Sequence, residues 1–222
     1  MGRRKNGRAI SGWVNFDKPL EMGSTPAVAT IRRLFNANKA GHAGTLDPLA
    51  TGILPIALGE ATKTVSFLQD ADKRYRVSIA WGAATNTDDL EGEVIATSEH
   101  RPSAQDIEDA LPHFTGWIDQ VPPQFSAIKR DGKRAYALAR AGENVDLAAR
   151  QVRIDAIQRL EGATADQVSL EVACGKGVYI RSLARDLARF LGTQGHVTQL
   201  RRTQVGVFDE KNAITLEKLN VL

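Results

Sequence analysis

The densest concentration of chemically capable residues lies in residues 41–55, GHAGTLDPLATGILP, where three glycines and two prolines surround one carboxylate, Asp47, and one histidine, His42. Glycine admits backbone conformations and close approaches that any side chain blocks, and proline restricts its neighbours, so the pattern holds Asp47 on a stiff loop. A carboxylate among Leu46, Leu49 and Ile53 must find partners or lose its charge. Such a group can serve as a nucleophile in covalent catalysis, or it can cap a short helix opened by Pro48. An isolated Asp-Pro pair favours the cap. Gly41, His42 and Gly44 have no part in capping and weigh toward chemistry, so both readings stay open on the residues alone.

Other routes to catalysis are poorly supplied. Cys174 is the sole cysteine, and His42, His100, His113 and His196 are scattered without zinc-ligand spacing. Residues 59–64 (GEATKT) lack the first glycine and spacing of a phosphate-binding loop, residues 175–177 (GKG) are too short, and no nucleophile elbow occurs. The expectation is chemistry with neither metal nor cofactor. The formal charge is only +3, but cations bunch at Arg3, Arg4, Lys5 and Arg8, at Lys129, Arg130, Lys133 and Arg134, at Arg181, Arg185 and Arg189, and at Arg201 and Arg202. Clusters of this kind suit a phosphate backbone, although for any one of them a solvated helix face is the commoner explanation. With 42% hydrophobic and 25% charged residues and no long apolar run, the composition is that of a globular chain that does not span a membrane. The basic segment Met1–Arg8 is not followed by the apolar stretch of a secretory signal, so a cytoplasmic location is expected.

The elements that must position Asp47 alternate in type. Ser24-Thr25-Pro26 supplies a cap and a first-turn proline, with Val28, Ile31 and Phe35 following at helical spacing. Residues 74–82 place Tyr75, Val77, Ile79 and Trp81 on one face of a half-buried strand ended by Gly82. Ser103 and Asp106 form a capping box for a helix reaching Leu111, with Pro112 at its end. Residues 122–150 open with two prolines, carry five or more cations and include a short helical pattern at Ala135–Ala141, which predicts a mobile arm. Residues 151–160 and 167–174 alternate as strands, with Cys174 in the core, and 178–191 is a helix turning Ile180, Leu183, Leu187 and Phe190/Leu191 inward and stopping at Gly192. The expected fold class is α/β of the mixed α+β kind: a mostly antiparallel mixed sheet flanked by helices, in a single domain 1–222 with its core at 9–210.

Six ordered blocks then carry a specific resemblance. GHAGTLDPLATGILPIALGEATK is similar to the segment around the catalytic aspartate of the TruB-type tRNA pseudouridine synthases. Asn15–Pro19 resembles the family's Asp-Lys-Pro signature, Asp72–Arg76 its Lys-x-Tyr block, and Pro123–Lys129 its Pro-x-x-Ser-Ala-x-Lys block. Cys174–Leu183 resembles the Lys-Gly-x-Tyr-Ile-Arg block and His196–Thr203 the Leu-Arg-Arg block. Any one would be weak; six in order across residues 12–205 are not.

The resemblance implies a pseudouridine-synthase core that isomerises a uridine of tRNA, uridine 55 of the T-loop, without a cofactor. It assigns Asp47 as nucleophile, attacking C1′ or C6 or assisting a glycal route, and Arg181 as the cation paired with it. It assigns Tyr75 to stacking on the target base, Tyr179 and Leu200 to the uracil pocket, and His42 to receiving a neighbouring nucleotide once the target is flipped. Lys18, Pro19, Lys63, Lys129, Arg201 and Arg202 are carried as pocket-wall or RNA-contact candidates, while Arg185 and Arg189 are left as surface or phosphate-contacting cations. The partner implied is the T-stem-loop of tRNA, met by a monomer with residues 122–150 as an RNA-binding arm. Bacterial members usually continue into a C-terminal PUA-like RNA-binding domain, whereas this sequence stops at Leu222, so that domain is expected to be absent. Val178 stands where many relatives have threonine. The rival functions are an RNA chaperone on the same scaffold and an N-glycosidase that excises the base, the latter disfavoured for want of a second, water-activating carboxylate.

Overall fold

The structure, a computed structural model, describes residues 7–126, 129–130, 133–134 and 147–221. The chain forms two compact units, residues 1–76 with 200–222 and residues 77–199. The first unit opens with β1 (Gly12–Lys18), α1 (Ser24–Leu34), β2 (Ala40–His42), β3 (Ala50–Leu58), a 3-10 turn (Gly59–Thr64), α2 (Val65–Gln69) and β4 (Lys73–Trp81), within which the chain passes to the second unit. There follow β5 (Ala83–Thr85), β6 (Val94–Thr97), α3 (Ala104–Ala110), β7 (Gly116–Gln120), β8 (Lys129–Arg130), β9 (Lys133–Arg134), β10 (Arg150–Arg159), β11 (Gln167–Cys174) and α4 (Ile180–Phe190). Within β12 (Gly195–Val205) the chain returns to the first unit, which closes with β13 (Phe208–Asp209) and α5 (Leu216–Leu219).

The first unit is organised around β3. Its run GILPIAL is apolar and enclosed, with Ile53, Leu54 and Ile56 fully buried, each such side chain contributing about 1.5–3 kcal/mol. β1 pairs antiparallel along its whole length, from Gly12 against Leu58 to Lys18 against Gly52, and β2 pairs antiparallel near its far end. The last part of β12 runs parallel to β3, with Leu200 against Ala50 and Arg202 against Gly52. In the second unit β10 lies between β7 and β11, antiparallel to both. Antiparallel pairing therefore predominates in both units, as the mixed α+β expectation requires.

Local signals translate directly. Ser103 and Asp106 make the reciprocal capping-box bonds at 3.1 and 2.9 Å, and α3 runs to Ala110 before Pro112 turns it into a 3-10 segment. β4 buries Tyr75, Val77, Ile79 and Trp81 as its alternation predicts, and Ser78, expected outward, is also buried, with its hydroxyl 3.0 Å from that of Ser169. Cys174 is buried in β11. Three expectations are corrected. The N-cap of α1 is Gly23, which has no side chain to bond with, and Ser24 is the first helical residue. Phe190 is 54% exposed at the end of α4, its ring packing against Phe114 and His113 instead of entering the core. Gly41 needs no glycine conformation, since its φ is not positive and nothing lies within 4 Å of where a Cβ would stand. The helical pattern at Ala135–Ala141 lies outside the described residues.

Gly52 is different. Between Lys18 on one side and Arg202 on the other it takes φ +100°, and a Cβ would stand 2.2 Å from the Arg202 carbonyl oxygen. Gly52→Ala is therefore expected to destabilise the chain by more than about 2 kcal/mol, while Gly41→Ala changes stability by less than about 0.5 kcal/mol. Denaturant unfolding checks the pair; equal stability of the two variants would contradict the close approach of β3 and β12.

Candidate active site

Asp47 lies on the loop joining β2 to β3. Its carbonyl accepts the Ala50 N–H at 3.1 Å, closing a four-residue turn with Pro48 at the second position, where its fixed φ is suited. Ala50 already belongs to β3, so no helix follows and Asp47 caps none. The helix-cap reading is thereby removed. What remains is a half-buried carboxylate at the corner of a turn.

Buried side chains fix this loop from three directions. Arg202, 1% exposed, donates through Nε to the Ile53 carbonyl at 2.8 Å and through Nη1 and Nη2 to the Thr45 and Gly44 carbonyls at 3.2 Å each. Ser24 Oγ donates to the Leu46 carbonyl and accepts the Leu46 N–H, both at 2.8 Å. Lys18, fully buried at the end of β1, donates its three protons toward the carbonyls of Pro19 at 2.9 Å, Met22 at 2.6 Å and Pro48 at 3.4 Å. Backbone bonds from Glu21 N–H to the Pro48 carbonyl and from Ala43 N–H to the Pro55 carbonyl complete the frame. The enclosed donors of Arg202 and Lys18 would each cost about 1–3 kcal/mol or more if left unpaired, so the turn is over-determined.

The electrostatics follow from that burial. Desolvation pulls the Lys18 ammonium down to about 8; the Asp47 carboxylate works the other way, and the Arg202 charge adds to the lowering. His42 is likewise pushed below its ordinary value, first by burial and then by Arg202, with a backbone contact to Gly44 opposing, which keeps its ring neutral at physiological pH. Two buried cations and a neutral imidazole therefore surround the loop that bears Asp47. Among the described residues no group of three or more His, Cys, Asp or Glu side chains gathers to hold a metal.

The remaining candidates fall into different settings. Leu200 is brought beside the loop by its register with Ala50, and Tyr75 is buried on β4. Arg201 and Arg202, adjacent in sequence, point to opposite faces of β12. Arg201 grips Asp17 at 3.0 and 2.8 Å and Glu210 at 2.6 Å, whereas Arg202 is committed to backbone inside the loop. Its guanidinium thus fastens the loop from within. Lys18, Pro19 and Arg201 line a cleft of about 230 Å³ with Thr51 and Leu216. Lys63 is exposed and paired with Glu60, and the side chain of Lys129 lies outside the description.

In the second unit, Tyr179 precedes α4 and exchanges backbone bonds with the Gln120 amide at 2.8 and 3.1 Å. Arg181 is buried, donating to the Thr87 and Phe125 carbonyls at 2.9 Å with Asp89 at 3.6 Å, so it is no surface cation. Arg185, left as a surface or phosphate-contacting cation, is instead held by Asp88 at 3.1 Å, Asp186 at 2.9 Å and the Val121 carbonyl at 2.8 Å. Arg189 is exposed. The residue missed from sequence is Ser24, whose partner lies 22 positions away and leaves no local pattern.

Because its folded pKa lies below its ordinary 10.5, protonated Lys18 works against the fold, and that cost is relieved as pH rises from about 8 toward 10.5. A 13C-lysine NMR titration of the folded chain is expected to show one ammonium with a midpoint near 8 that is missing in Lys18→Met. A midpoint at the ordinary value would contradict the enclosure of this group.

Residues 32–180 match the family model described as TruB family pseudouridylate synthase (N terminal domain), and residues 181–222 match the tRNA pseudouridylate synthase B C-terminal domain. The chain is 59% identical over 222 residues to a protein named tRNA pseudouridine synthase B from Caulobacter vibrioides, spanning 72% of it. It is 58% identical over 221 residues to one of the same name from Brucella anthropi, spanning 68% of it. Among solved structures, a chain of a Cbf5-Nop10-Gar1 complex is similar with a TM-score of 0.72 and 33% identity, over 93% of this chain and 52% of that one. A chain of the archaeal box H/ACA sRNP Nop10-Cbf5 complex gives a TM-score of 0.70 and 30% identity, over 94% of this chain and 52% of that one. With two thirds of its length in the first model, the chain belongs to the TruB family of pseudouridylate synthases.

Proposed function

We propose that this chain isomerises a uridine of tRNA to pseudouridine, at position 55 of the T-loop, with Asp47 as the nucleophile. The observation that carries the proposal is the Asp47 turn itself: one carboxylate on a loop whose backbone is fastened by Arg202, Ser24 and Lys18. A nucleophile held so has little freedom left to lose on reaching the transition state. The names of the bacterial relatives support tRNA as the substrate.

The reaction balances within the substrate. The N1–C1′ bond breaks, the base turns while the ribose or the base is carried on Asp47, a C5–C1′ bond forms, and the C5 proton leaves to solvent as N1 gains one. Attack at C1′ makes an ester to the ribose, attack at C6 an adduct to the base, and a glycal route uses the same carboxylate as a base. No electrons are transferred and no other group enters. The target uridine must leave its stack, and replacement stacking is worth about 1–3 kcal/mol per base. In this proposal Tyr75 stacks on that base, Tyr179 and Leu200 enclose it, Arg181 supplies the charge opposite Asp47, and the neutral ring of His42 receives a neighbouring nucleotide. The T-stem-loop is the recognised element, and the working form is a cytoplasmic monomer. No described helix is long and apolar enough to cross a membrane.

With tRNA tritiated at uridine C5, the chain is expected to release tritium to water, and nucleotide mapping is expected to place the product at position 55. Asp47→Asn should reduce release by more than about a thousandfold while leaving tRNA affinity within about twofold. Unchanged turnover in that variant would overturn the assignment. Free uracil would identify a glycosidase, and binding without product an RNA chaperone.

A further inference from the structure

We propose that Ser24 is a positioning residue for Asp47, acting through the backbone of Leu46; this rests on the reading of Asp47 as nucleophile. Ser24 is 5% exposed and Leu46 4% exposed. One hydroxyl oxygen serves both backbone groups of Leu46, donating to its carbonyl and accepting its N–H, each at 2.8 Å. These are the bonds a β-ladder partner would make, supplied here by a side chain where no strand runs alongside. Leu46 immediately precedes Asp47, so the two peptide planes that Ser24 fixes set the direction from which the Asp47 side chain departs.

The N-cap of α1 is Gly23, which has no side chain to cap with, and Ser24 at the first helical position gives its hydroxyl to Leu46 and not to the helix's own N–H groups. The helix tolerates this because Ala27 and Ile31 anchor its inner face at 0% exposure, and that anchorage makes its first turn a rigid mount. Thus a packed helix holds one side of the loop residue before Asp47, while Arg202 holds the carbonyls of Gly44 and Thr45 just upstream.

The role is separable from stability. Alanine is a better helix former than serine, so Ser24→Ala keeps α1 but leaves both Leu46 groups buried without their partner. In single-turnover reactions on pre-bound tRNA, Ser24→Ala is expected to slow pseudouridine formation about ten- to a hundredfold, the effect of a misplacement on the order of 1 Å. The tRNA Kd should stay within about twofold, and Ser24→Thr, which keeps the hydroxyl, should recover most of the rate. If Ser24→Ala does not fold, Ser24→Cys is measured instead, since its thiol fills the hydroxyl's place but is only a weak donor and acceptor. A lowered Tm with an unchanged rate per folded molecule would overturn the positioning role. Asp47→Asn in the same assay separates the two claims: wild-type Ser24→Ala rates beside an inactive Asp47→Asn overturn positioning alone. An active Asp47→Asn overturns the nucleophile and Ser24's role with it.

Discussion

The enclosed guanidinium of Arg202, bonded to the carbonyls of Gly44, Thr45 and Ile53, is the interaction on which the surroundings of Asp47 depend. A glycine-rich loop leaves carbonyl groups without ladder partners, and a buried guanidinium must find acceptors for its N–H groups. A planar fork of five donors can meet several at once, which a lysine or a glutamine cannot do in the same geometry. The demand propagates outward. β12 must run parallel to β3 in one register to deliver Arg202, and at the point of contact only glycine fits, which is Gly52.

Placing that charge inside the first unit has an electrostatic consequence. Lys18 is buried close enough to feel it, and its lowered pKa records both the loss of water and the repulsion from Arg202, while Asp47 acts in the opposite sense. Arg202 also helps to keep His42 neutral. The Asp47 carboxylate in turn favours the charged form of Lys18. Shape and charge thus meet at one place: the loop geometry holds Asp47, and Lys18 and Arg202 are the buried cations beside that loop.

Much of the fold was legible because its signals are local. The capping box at Ser103, the burial of Tyr75 through Trp81 and the inward turn of Ile180, Leu183 and Leu187 on α4 each reside within a dozen residues, and each formed as its spacing predicts. The site was less legible. Ser24 looked like a cap because the cap motif is local, whereas its actual partner lies across the fold. Arg201 and Arg202 looked like one basic cluster, although alternation along a strand sends neighbours to opposite faces. Recognising residues 195–205 as a strand would have separated the half-exposed Arg201, held by Asp17 and Glu210, from the interior Arg202. Arg185 misled in a similar way, since a cation on a helix reads as solvated until Asp88 is brought to it. The Asp47 turn itself was readable as unusual, but distinguishing a turn from a helix cap required knowing that β3 begins at Ala50.

Arg202 is expected to act on pseudouridine formation through the shape of the loop that bears Asp47. The direct measurement is the single-turnover rate and the tRNA Kd of Arg202→Lys, which keeps the charge but loses the fork. If the account holds, pseudouridine formation on bound tRNA slows by about a hundredfold or more while affinity and its salt dependence stay unchanged. A variant that binds tRNA more weakly, with a shallower salt dependence, yet converts bound tRNA at the wild-type rate would contradict it.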